Sequence, residues 1–260
     1  MHHRKIEQLA AGSSPVHGLD PRVKLICAMA FVVLVTVLPN KPLVIFILPA
    51  AIVMGGLFIA RLPWGFVLSR TVMVLPFVVL VAVFLPFTRG HEVVWTIGST
   101  GLRVYREGLD VCLAVLARGC LAILAVGWLV FTTPFQRLLL AMRSMHVPRV
   151  VVVTLAFLFR YLDLLADQSL RVRRARSARA PDGTRRLRIR STGGLIGRLL
   201  LRALDRADRV YRAMLSRGYE GEVRTLTRLR LRSGDVIFLM AFILLAAAAA
   251  LFAGLAGGAP

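Results

Sequence analysis

No G-x-x-x-x-G-K-[ST] segment occurs in this sequence, so the backbone cradle and lysine that hold nucleotide phosphates are missing. The nearest glycine cluster, Gly193-Gly194-Leu195-Ile196-Gly197-Arg198, has neither the spacing nor the lysine. A G-x-S-x-G elbow and a H-E-x-x-H pair are absent too, which leaves hydrolase and metalloprotease chemistry without a motif. Cysteine is scarce: Cys27, Cys112 and Cys120 all fall in apolar segments, match no metal-ligand spacing and read as reduced packing residues. His17, His91 and His146 are scattered over separate connections. Met1-His2-His3 offers an amine and imidazoles of the kind a tetragonal divalent ion accepts, but at a polar terminus it reads as a flexible end. No metal site and no cofactor is assigned. Acidic residues are few, 13 against 34 lysines and arginines, so the chain is strongly cationic.

What the sequence has in excess is apolar residues. At 57% hydrophobic and a mean hydropathy of +0.73, it exceeds the roughly 45 to 50% of a soluble domain. A spanning helix needs about 20 mainly apolar residues, and such runs lie near 23–38, 43–60, 66–87, 109–131 and 235–255. The reading is an all-α integral membrane protein of about five transmembrane helices. The first two runs are short, and Pro76 and Pro86 interrupt the third, where kinks or tilt are expected. The N-terminus has no small-residue cleavage site, and Pro21-Arg22-Val23-Lys24 leads directly into the first run, so that span is expected to be retained.

The positive charge is concentrated. Between Pro134 and Gly234 there are 23 arginines against 7 acidic residues. The excess of arginine places this segment on the cytoplasmic side, though its length weakens the rule. Counting back through four spans puts the N-terminus inside, in agreement with Arg4, Lys5, Arg22 and Lys24, and the C-terminus outside. Arg89, Arg103 and Arg106 in the 88–108 connection oppose this orientation and are offset by Glu92, Glu107 and Asp110. The organisation is a four-span region at 1–131, a cytoplasmic or interfacial coupling-helix region at 132–234 and a last span at 235–260, in a multi-pass protein of the cell membrane. Inside the fourth span, Arg118 would cost several kcal/mol unless it snorkels or meets a partner in the bundle.

The basic segment keeps helical period. Thr133 as cap and Pro134 at the first position open a short amphipathic helix with Phe135, Leu138, Leu139 and Met142 on one face. A longer helix begins at Pro148, carries Val151, Leu155, Leu158, Leu162, Leu165 and Val172 on a stripe, and stops at Pro181-Asp182-Gly183. Arg160, beside Tyr161 and Asp163, is expected to pin it at the membrane surface. After a basic turn around Arg188, a third helix runs from about Leu195 to Arg217, with Asp205 and Arg209, and Asp208 and Arg212, at i, i+4. Gly218 stops it. Arg217 therefore stands at the helix end, where a cation suits the macrodipole and can reach beyond the backbone.

Three roles compete for these arginine-tipped helices. Basic amphipathic helices bind anionic lipid. Nucleic-acid binding is disfavoured, because the segment has few aromatics to stack bases and no recognisable module. Docking to a soluble acidic protein is the third, and two long helices that each end in arginine beside a small residue favour it.

Leu19-Asp20-Pro21-Arg22-Val23-Lys24-Leu25, the stretch 132–180 from Thr132-Thr133-Pro134 to Ser177-Ala178-Arg179-Ala180, and the stretch 199–222 ending Ser216-Arg217-Gly218-Tyr219-Glu220-Gly221-Glu222 resemble the transmembrane T component of energy-coupling factor transporters, in its cobalt-type, CbiQ-like branch. The resemblance implies a non-catalytic subunit of an ATP-driven importer of cobalt, nickel or a vitamin. It would link two ABC ATPase subunits, which hydrolyse ATP, to a separate substrate-binding membrane S component. In that family two coupling helices each end in an X-Arg-X motif that docks into an ATPase groove. By position the second motif is Ser216-Arg217-Gly218. The first is Ala178-Arg179-Ala180 or, alternatively, Ala175-Arg176-Ser177, since position 180 is alanine where the family usually has glycine. The alternative class is a membrane-anchored scaffold that binds lipid or protein without transport.

Overall fold

The computed structural model describes residues 14–40, 43–88, 93–97, 102–179, 185–221, 229 and 231–257. Each apolar run becomes a helix. The first, α1 (Pro21–Val37), is opened by Asp20, whose carboxylate accepts the Arg22 backbone N–H at 2.9 Å, with Pro21 in the first turn. A 3-10 turn at Leu43–Phe46 leads into α2 (Ile47–Ile59). The third run is divided once, at Phe84: α3 (Trp64–Val83) continues through Pro76, and the short α4 (Leu85–Thr88) has Pro86 in its first turn. After α5 (Arg106–Thr132) come α6 (Phe135–Ser144), α7 (Arg149–Arg179), α8 (Arg185–Leu215) and α9 (Ser233–Gly257).

The architecture departs from an all-α expectation at one place. Within the 88–108 connection, β1 (Val93–Ile97) pairs antiparallel with β2 (Leu102–Tyr105), Ile97 opposite Leu102 and Val93 opposite Tyr105, with a register shift between Val93 and Trp95. Valine, tryptophan, threonine and isoleucine in succession favour strand over helix in a segment too short to cross a membrane.

The helices fall into two compact units, 1–141 with 229–260, and 142–228. In the first, α5 is the hub: it packs on α1, α2, α3 and α4, and α9 packs on α1 and α2. Phe31, Val35, Ile45, Leu57, Ala114 and Trp128 form its buried centre. Small residues permit the closest approaches. A Cβ at Gly119 on α5 would lie 2.6 Å from Val78 Cγ1 on α3. Gly56 on α2 lets Trp128 Nε1 donate to its carbonyl at 3.1 Å.

The outer surface of this unit is apolar. Met29, Val33, Phe58, Leu80, Ile237 and Leu244 are exposed, and Phe77 is 73% exposed. In water such a surface would drive association; facing hydrocarbon it is the stable arrangement. Among the described residues, 106–132 and 233–254 have the length and apolarity to cross a bilayer, and Val44–Ile59 and Val67–Val83 are shorter apolar helices. The chain is a helical membrane protein.

The second unit contains α7 and α8, each 31 residues and so about 46 Å long. One boundary differs from the sequence reading. The third basic helix begins at Arg185 and not near Leu195, so Arg188 lies within a helix and not in a turn. Arginine is a good helix former, and Gly193 and Gly194 cost only about 1 kcal/mol each, which a long helix tolerates.

Candidate coupling surface

The C-terminal end of α8 is closed by a Schellman arrangement. Gly218 takes φ +79. Its N–H donates to the Leu215 carbonyl at 3.0 Å, and the Tyr219 N–H reaches back to the Met214 carbonyl at 3.0 Å. Glycine is needed there because a Cβ would strain the left-handed conformation. The Met214 and Leu215 carbonyls are thereby satisfied by backbone, and the Arg217 side chain is not consumed in capping. Ser216, Arg217 and Gly218 are all exposed. Ser216 Oγ donates to the Ala213 carbonyl at 3.1 Å, which folds the hydroxyl onto its own helix.

The other motif lies at the end of α7, where the helix extends through Arg179. Ala175, Ser177 and Ala178 are exposed, and Ser177 Oγ donates to the Arg174 carbonyl at 2.9 Å. Arg176 and Arg179 belong to the helix by their backbones, while their side chains, and Ala180 altogether, lie outside the described residues. Residues 181–184, including the Pro181-Asp182-Gly183 stop, lie outside them as well.

Within this unit α7 and α8 meet through aromatic and cationic groups. The Arg206 guanidinium sits 5.7 Å from the Tyr161 ring centroid, and Tyr161 stacks on Phe157 at 6.2 Å. Sequence reading missed this contact. There Tyr161 figures only as a neighbour of Arg160, the expected membrane-surface pin, and only a tyrosine on one helix and an arginine on another hint at a pairing. The apolar stripe of α8 stays open: Ile196, Leu200, Leu201, Leu204 and Tyr211 are exposed.

At the start of α6 the sequence reading needs correction. Thr133 does not cap the helix; its hydroxyl is buried without a hydrogen-bond partner. The Pro134 carbonyl instead receives the N–H groups of Arg137 and Leu138, at 2.9 and 3.1 Å. The helix closes at His146, which holds φ +63 while the Val147 N–H donates to the Met142 carbonyl at 3.3 Å. A non-glycine residue in that position carries strain.

Arg118 has found a partner. Its Nη2 donates to the Leu38 carbonyl, and the guanidinium lies 5.7 Å from the Phe46 centroid. An apolar cavity of about 330 Å³ opens between α1, α2, α5 and α9, with Cys27, Phe31, Gly55, Trp128 and Phe242 in its wall. Such a lining suits hydrocarbon and offers a hydrated divalent cation no oxygen ligands. His2, His3 and His91 lie outside the described residues.

A helical unit with an apolar outer surface, and a second unit that contains two long basic helices, define a membrane protein with a strongly basic helical segment. A family model described as cobalt transport protein, CbiQ, matches residues 12–228, and the chain belongs to that family. It is similar to the cobalt transport protein CbiQ of Rhodobacter capsulatus, 32% identical over 131 residues that make up 50% of this chain and 54% of the relative. The energy-coupling factor transporter transmembrane protein EcfT of Bacillus subtilis is 27% identical over 257 residues, 93% of this chain and 95% of the relative. EcfT of Acidaminococcus fermentans is 28% identical over 226 residues, 82% of each.

Proposed function

We propose that this protein is the transmembrane coupling subunit of an ATP-driven, energy-coupling-factor importer for cobalt, nickel or a vitamin. Five helices, α1, α2, α3, α5 and α9, cross the membrane with the N-terminus in the cytoplasm, and segment 132–234 forms the cytoplasmic coupling region. Two ABC ATPase subunits hydrolyse ATP. A separate membrane S component binds the substrate, in keeping with the apolar character of the cavity in this chain.

Ser216-Arg217-Gly218 and Ala178-Arg179-Ala180, or Ala175-Arg176-Ser177 in place of the latter, are the ATPase-docking motifs. The observation that carries this reading is the freedom of Arg217: backbone N–H groups and the Ser216 hydroxyl close α8 without it, so the guanidinium is free to serve a partner. Five N–H donors in a planar fork can hold a carboxylate by two parallel bonds, which fixes orientation as well as proximity. A rotation of either ATPase then moves the tip of a stiff helix about 46 Å long, and Arg206 on Tyr161 links that helix to its neighbour.

The exposed apolar stripe of α8, flanked by arginines, favours a second reading in which the helix lies on anionic lipid and the protein is an anchor without transport. Purification in mild neutral detergent with the candidate ATPases coexpressed separates the two. Stoichiometric ATPase in the purified complex is expected for coupling, and its absence would leave the lipid reading.

A further inference from the structure

Four polar residues are buried together within the unit formed by 1–141 and 229–260. Lys24 is 1% exposed and Asp235 2% exposed, and Asp20 and Thr132 are also buried. The Asp235 carboxylate accepts two backbone N–H groups, each at 2.7 Å: Oδ2 takes that of Arg232, just before α9, and Oδ1 takes that of Asp20, just before α1. One side chain thus closes two helix N-termini, where a negative charge is favoured by both dipoles. The Lys24 ammonium donates to the Thr132 carbonyl at the end of α5 at 2.9 Å. Thr132 is the last residue of α5 and Arg232 stands directly before α9, so the two ends of segment 132–234 are tied to the start of α1.

Buried charges are a poor source of net stability, because desolvation offsets most of their attraction and well-packed apolar residues commonly do as well. What they confer is a fixed geometry. We propose that Asp235 is a positioning residue for energy coupling, forming with Lys24, Asp20 and the Thr132 carbonyl a stiff joint that ties both ends of segment 132–234 to α1, so that a displacement of those ends is delivered to the membrane helices. The inference rests on the coupling reading above. Without the joint, the two connections would absorb the motion by bending, and ATP would be hydrolysed without moving the membrane helices. Beyond Asp235, α9 carries no charged residue.

The experiment uses the full-length chain with Cys27, Cys112 and Cys120 replaced by alanine and spin labels at the exposed positions Ile26 on α1 and Ile237 on α9. Distances are measured in wild type, Asp235→Asn and Lys24→Gln, and each protein is also reconstituted with its ATPases and substrate subunit. Asparagine keeps the shape but can accept only one of the two N–H groups. Glutamine keeps a donor for Thr132 without the charge. For Asp235→Asn the expected result is unchanged helicity and ATPase capture, a broadened distance distribution, and substrate uptake per ATP reduced about tenfold, the scale of one charge-assisted hydrogen bond. Lys24→Gln should give a smaller loss of the same kind. An unchanged distance distribution, or a broadened one with normal uptake per ATP, would overturn the joint. Uptake and hydrolysis that fall together in proportion to folded protein would show a structural role only. Failure of the wild type to capture ATPases would overturn the coupling reading and the joint's role in it, whereas an unchanged distance distribution beside normal ATPase capture would overturn the joint alone.

Discussion

Arg118, on α5, donates through Nη2 to the carbonyl of Leu38, the residue that ends α1, 80 positions earlier in the chain. A cation at a helix C-terminus is favoured by the helix dipole, and here it also offsets part of the cost of an arginine within an apolar helix, whose Nε stays buried without a hydrogen-bond partner. Replacing Arg118 with alanine should leave the carbonyl unpaired and destabilise the detergent-solubilised protein by about 2 kcal/mol. A melting curve followed by circular dichroism measures this. Lysine should recover part of the loss through its charge, and a melting temperature equal to wild type for alanine would count against the contact.

The approach of α3 to α5 at Gly119 makes a second prediction. Val78 is β-branched and cannot swing away from an added methyl group. Gly119→Ala should therefore cost about 1 to 3 kcal/mol through overpacking, and Val78→Ala should rescue it. Additive losses in the double mutant would show that the two helices do not press on each other there.

At the end of α8, a substitution series at Gly218 should order by tolerance of positive φ: asparagine milder than alanine, and alanine milder than valine. The cost to the isolated subunit should be about 1 kcal/mol for alanine. Capture of the ATPases should follow the same order, because misdirecting the helix end misdirects Arg217. Equal capture across the series would separate the turn from docking.

Charge reversal distinguishes a motif from bulk basicity. Arg217→Glu should weaken ATPase capture at least about tenfold in neutral detergent, since repulsion is added to the loss of two hydrogen bonds. Arg202→Glu, exposed on the same helix, should have little effect. Alanine at Arg217 and Arg179 together should leave insertion intact and uncouple uptake from hydrolysis. Equal losses for Arg217→Glu and Arg202→Glu would show that overall charge holds the partner.

The sequence by itself determined which segments are helices, because helix formation and membrane partition depend on local composition, and apolar runs with flanking caps state both. Asp20-Pro21 announces the start of α1, Pro86 the break between α3 and α4, and Gly218 the end of α8, whereas Pro76 lies within α3 without dividing it. The arginine at the α8 terminus was legible for the same reason: its position relative to Gly218 is local. The start of α8 was misjudged by ten residues, because a run of arginines resembles a solvated turn in composition while its backbone propensity favours helix. Only the tertiary structure decided which buried charges meet. Lys24 and Thr132 are 108 positions apart, and Asp20 and Asp235 are 215 apart. Nothing in the neighbourhood of either acid indicates that one carboxylate closes two helices. Such pairings follow from the packing of α1, α5 and α9, in which ridges and small residues set the register and the low dielectric then requires each polar group to find a partner.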